Sequence, residues 1–155
     1  MNFFYLDENP VDCAIAMVDR HVVKMILEHC QLLSTAQNLN GIDSLYKPTH
    51  INHPCSKWAR ESIQNYDLLC LYTKNMLNEY TFRYGKTHAC TSILYYCETV
   101  KPNLPDIGLT KIALAMPDAY KSEDPVESYR KYYINDKQHL ASWTKRNQPL
   151  WWENK

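Results

Sequence analysis

Three prolines in this chain each follow a residue whose side chain can cap a helix: Asn9-Pro10, His53-Pro54 and Asp124-Pro125. Proline holds φ near −65° and has no N–H, so it suits the first helical position and disrupts a helix interior or a central strand. Each pair therefore marks a helix start, and Glu127 adds the acidic third residue that favours the Asp124 cap. Stops are equally legible. The Asn38 to Gly41 stretch ends a first helix, and Tyr84-Gly85 supplies the left-handed cap of a second. Only three glycines are present, too few for repeated hairpins or Gly-rich phosphate loops. These signals, with apolar spacing such as Trp58, Ile63, Tyr66, Leu69, Tyr72 and Met76, predict helices over about 10–38, 53–84, 87–100 and 125–140. Residues 101–124, with Pro102, Pro105 and Pro117, read as a long loop holding one turn around Leu109 to Leu114. Met1 to Leu6 reads as a short extended segment packed against the rest. No strand alternation is sustained. The expectation is an all-α fold: one compact domain over residues 1–155, a bundle of unequal helices with a Pro-rich loop and an aromatic, basic C-terminal segment.

Charge and cysteine usage narrow the functional classes. The 17 basic and 17 acidic residues cancel, so there is no global attraction to nucleic acid or anionic membrane. A polyanion has to meet a local patch, and the C-terminal half is the place for one, because residues 101–155 are net basic while residues 1–50 are net acidic. The six cysteines are scattered without a C-x-x-C, as expected of small core residues in a reduced, cytoplasmic protein. No leader and no apolar run of membrane-spanning length is visible.

The chemistry concentrates between Asp19 and Glu28. On a helix, His21, Lys24 and Glu28 fall on one face, beside an apolar seam of Val18, Val22, Met25 and Ile26. An amine, a proton carrier and a carboxylate in one row suit imine chemistry. The plain alternatives are a surface i,i+4 pair for Lys24 and Glu28, and a core histidine bonded to a carbonyl for His21. His50 and His53 have an H-x-x-H spacing that, with Asp19, His21 and His88, is also compatible with a metal, although His53 fits better as a residue that caps or orients the second helix. No metal and no cofactor is expected. Arg83, Lys86 and His88 flank Gly85 in a turn with the cations and N–H groups to hold a phosphate, or in an ordinary helix connection. Tyr129, Arg130, Tyr132, Lys145 and Arg146, with Trp143, Trp151 and Trp152, mix rings that can stack on bases with cations that can meet phosphates. Some of these rings are expected in the core instead.

This pattern resembles the phage-type pyrimidine-dimer DNA glycosylases with AP-lyase activity, the endonuclease V type. That family carries Asp-x-His followed seven residues after the His by Glu, as do Asp19, His21 and Glu28. It has a His opening a long second helix that ends in Arg-Gly-aromatic, similar to His53 and Arg83-Tyr84-Gly85. It also has a terminal aromatic and basic segment, similar to Tyr129-Arg130-Lys131-Tyr132-Tyr133. The likeness spans roughly residues 12–135. It implies an all-α glycosylase acting on a damaged or modified pyrimidine in DNA, in a host cytoplasm if phage-encoded. It implies an N-terminal amine that attacks C1′ to form an imine, Glu28 as acid/base and His21 on the sugar-phosphate. The amine here is that of Met1, since Asn2 hinders removal of the preceding Met, and Lys24 is the other amine in the row. An α-amine generally keeps a useful neutral fraction at pH 7, which such an attack needs. Two other functions stay open on the residues themselves: the same pocket acting on a free nucleotide or nucleoside, and a non-enzymatic phage–host interaction protein using its aromatic C-terminal surface. Oligomeric state is open.

Overall fold

A computed structural model describes residues 1–153; the last two residues of the Trp-rich tail lie outside it. Helices α1 (Pro10–Ala16), α2 (Asp19–Asn38), α3 (Pro54–Ala59), α4 (Ile63–Tyr84), α5 (Thr91–Thr99), α6 (Pro125–Asp136) and α7 (Leu150–Glu153) follow one another, with single 3₁₀ turns at Asp118–Tyr120 and Gln138–Leu140. No strand occurs among the described residues. The fold is all-α, and the three proline-marked starts cap as their residue types require. The Asn9 side chain accepts from the N–H groups of Val11 and Asp12, Asp124 from those of Val126 and Glu127, and His53 Nδ1 from that of Cys55. Gly85 closes α4 at φ 63°, the left-handed conformation that costs glycine nothing.

The two longest expected helices each break once. The first divides at Met17-Val18, both extended, because the carbonyls freed there find tertiary donors. Arg83 donates to Ile15 and Met17, and Trp143 Nε1 donates to Ala16. The second divides at Arg60 to Ser62. Ser62 caps α4 through the Asn65 N–H, and the Ile63 N–H goes to the carbonyl of Pro105 in the long loop. The third helix begins later than expected, at Thr91, and the fourth ends at Asp136 with a 3₁₀ turn beyond it. The turn expected around Leu109 to Leu114 is absent, and the loop instead makes its one turn at Asp118–Tyr120.

Helix α2 packs along α4, with α1 and α5 also against α4 and α3 against α2. The first residues run extended through the middle of this assembly. Phe3, 1% exposed, stacks on Trp58 at 5.2 Å and meets Tyr72 and His29 edge-on. Burying such a ring contributes roughly 1.5–3 kcal/mol. Tyr129 and Tyr133 of α6 are fully buried against the same segment, so the chain start is fixed rather than trailing. All six cysteines are free and buried. No helix among the described residues is long and apolar enough to cross a membrane.

Candidate active site

Helix α2 presents His21, Lys24 and Glu28 toward the extended chain start, and a cleft of about 270 Å³ opens between them. Glu28 is 7% exposed and uses both oxygens. Its Oε2 lies 3.2 Å from the α-amine of Met1 and accepts the Asn2 N–H at 3.2 Å. Its Oε1 pairs with Lys24 Nζ at 3.2 Å, and that lysine is largely exposed. Burial pushes the Glu28 carboxyl up, but the α-amine and Lys24 outweigh it and hold the group below its ordinary range. The acid at the centre of the site is therefore ionised at neutral pH, with two amines on it.

His21 lies two turns before Glu28 on the same face, 6% exposed. Its ring stacks on Phe4 at 4.5 Å and Nδ1 meets the Tyr133 hydroxyl at 2.6 Å, which leaves Nε2 for a bound group. Burial, assisted by the charge of Lys137, lowers its pKa to about 4 and keeps it a neutral imidazole. His53 enters the cleft from the start of α3, its Nδ1 occupied by the Cys55 N–H, so its proton is on Nε2. Tyr132 and Lys137 of the C-terminal part, with Ala115 of the long loop, close the far wall.

The chain start is held there by Asn2, 8% exposed. Its Nδ2 donates to the Ala115 carbonyl at 2.8 Å, and its Oδ1 accepts from the Phe3 N–H and lies 3.1 Å from the Tyr129 hydroxyl. That hydroxyl also donates to the Ala113 carbonyl at 2.6 Å. The extended start, α6 and the Pro-rich loop thus meet at one buried amide.

The other expected contacts lie elsewhere. The Arg83 side chain is fully buried, bonded to Asp19, Glu79 and two carbonyls, so its cation is used inside the protein. Asp19 joins α2 to the tail through Ser142 and Thr144. Burial raises the Asp19 carboxyl, but those hydrogen bonds and Arg83 bring it below the ordinary range. Arg146 bonds Glu79 and lies over Phe82, and Lys145 donates to the Phe82 carbonyl. Arg130 pairs with Asp7 and stacks on Trp151. His88 donates to Val23 and caps the Cys90 N–H, and Lys86 is exposed in the turn after Gly85. The mixed aromatic and basic tail is mainly an internal fastening, because most of its cations meet carboxylates or rings of the fold. No group of three or more His, Cys, Asp or Glu among the described residues is placed to hold a metal.

Of the residues expected in the site, Met1, His21, Lys24, Glu28, His53 and Tyr132 come together, and Tyr129 supports Asn2 from behind. Asn2, Phe4 and Lys137 were not signalled by motif or spacing. Phe4 and Asn2 sit in an apolar run with no visible partner, and Lys137 lies four residues beyond the tyrosine motif.

A family model described as pyrimidine dimer DNA glycosylase matches residues 1–92, the stretch that carries the α-amine, His21, Lys24, Glu28 and His53. The chain belongs to the pyrimidine dimer DNA glycosylase family. No curated protein and no solved structure matches it. Family membership makes it a DNA glycosylase-type enzyme of DNA repair, with DNA as the substrate class. The wall formed by Ala115, Tyr132 and Lys137 lies beyond the matched residues.

Proposed function

We propose that this glycosylase removes a damaged or modified pyrimidine through an imine between the α-amine of Met1 and C1′ of the nucleotide, with Glu28 as acid/base. The observation that carries the reading is the α-amine 3.2 Å from a buried carboxylate inside a cleft. Glu28 takes a proton from the ammonium, and the freed lone pair forms the N–C1′ bond as the C1′–base bond breaks. The base leaves with the bonding electrons and takes a proton from solvent. A second proton passes from the nitrogen to solvent, Glu28 gives its proton to O4′ as the nitrogen lone pair opens the sugar to the protonated imine, and the regenerated carboxylate then accepts a proton from C2′ as the 3′ phosphate leaves with its electron pair. Lys24 stays on the other oxygen of Glu28 and balances its charge, which favours the Met1 amine over Lys24 as nucleophile. His21, neutral, offers Nε2 to the sugar-phosphate. Reaching C1′ requires extrusion of the nucleotide from the stack.

Borohydride reduction in the presence of abasic-site DNA tests this. The expected result is a covalent adduct on the N-terminal peptide by mass spectrometry, retained in Lys24→Arg and reduced about 100-fold or more in Glu28→Gln. No adduct with the unmodified protein, or an adduct on Lys24, sinks the assignment.

A further inference from the structure

Lys137 follows the last residue of α6, with its backbone N–H donating to the Tyr133 carbonyl, so its root is fixed. Its side chain is half-buried, lines the cleft opposite α2, and carries Nζ over the Tyr132 ring at 4.8 Å. It has no carboxylate within ion-pair distance among the described residues. Lys24, the other lysine lining the cleft, is instead paired with Glu28. Inside the cleft the α-amine, Lys24 and Lys137 face a single carboxylate, Glu28, and the His21 imidazole is neutral. The cleft is thus net positive in a molecule with no net charge, and its cation unmatched by an acid stands on the wall across from the reacting amine.

We propose that Lys137 is a substrate-contacting residue that holds the phosphodiester next to the extruded nucleotide, placing C1′ against the α-amine. This rests on reading the cleft as a nucleotide site. A lysine suits the role as a compact point charge that accepts several phosphate orientations, and the Tyr132 ring beneath its ammonium holds that charge at the cleft wall.

The test is equilibrium binding, by fluorescence anisotropy across a salt series, to a duplex carrying a tetrahydrofuran abasic analogue, which cannot form an imine. Lys137→Gln is expected to weaken binding about fivefold to tenfold at low salt and to flatten the log Kd–log salt slope by about 0.7–0.9, the loss of one phosphate contact. Lys101→Gln, which removes an equal charge from the Lys101–Asp67 surface pair, is expected to leave both unchanged. A circular dichroism melt of each variant verifies that the fold is kept. An unchanged affinity and slope in Lys137→Gln, an equal effect in Lys101→Gln, or no binding by the unmodified protein overturns the proposal. Borohydride trapping reports separately on the imine: binding that depends on Lys137 without any adduct would remove the imine and keep the phosphate contact.

Discussion

At Glu28 three nitrogens converge on two oxygens, and the amine among them has its place only because Asn2 is fixed from three sides. Tyr129→Phe tests that dependence with little change of shape. It removes a hydroxyl that lies on Asn2 Oδ1 and donates to Ala113, a loss of about 1 kcal/mol in stability. The amine is expected to loosen by a fraction of an ångström, so that trapping slows about tenfold while DNA affinity holds. An unchanged trapping rate would reduce Tyr129 to a packing role. The row of His21, Lys24 and Glu28 was legible in the sequence because helical periodicity alone puts those side chains on one face. Asn2 was not, since its partners at 28, 115 and 129 are remote in the chain and nothing local announces them.

The elements tell the same story in their boundaries. Caps and prolines located the starts of α1, α3 and α6, because a cap satisfies its own nearest N–H groups and needs no distant partner. The breaks at Met17-Val18 and Arg60 to Ser62 escaped a periodicity argument, because the freed backbone groups are answered from α4, the tail and the long loop. Arg83 is the main agent at the first break, and its motif-like place before Gly85 invited a phosphate role that its buried ion pairs preclude in this fold. Arg83→Met leaves the Asp19 and Glu79 carboxylates short of their partner and is expected to destabilise by about 3–5 kcal/mol in urea unfolding. Arg146→Ala, at the half-exposed edge of the same network, is expected to cost about 1 kcal/mol. Equal losses in the two variants would show that the network is not organised around Arg83.

For the molecule as a whole, 17 basic and 17 acidic residues cancel, and the cleft, with three amines around one carboxylate, is a local positive feature within that balance. Buried titratable groups set the response to acid. Burial lowers His29 as well as His21 to a pKa of about 4, against 6.5 when unfolded. The unfolded chain therefore takes up protons that the native one refuses, and the stability present above pH 6.5 drains away as pH falls toward 4, by roughly 3 kcal/mol for each histidine. Glu28, held below its ordinary range, adds a loss of the same sign at the acid end. The urea midpoint is expected to fall steadily from pH 7 to pH 4, and less steeply in His21→Asn. A flat profile would contradict the buried, neutral state of both imidazoles.

The sequence by itself determined that the chain is helical, where its three proline-marked helices begin, and that an imidazole, an amine and a carboxylate share a face of α2. All of these follow from interactions among residues a few positions apart. The tertiary structure alone decided that the chain start returns to Glu28, that Lys137 closes the opposite wall, and that Arg83 and most of the basic tail serve the interior. Those outcomes depend on which surfaces pack together, and burial between distant segments leaves no periodic trace along the chain.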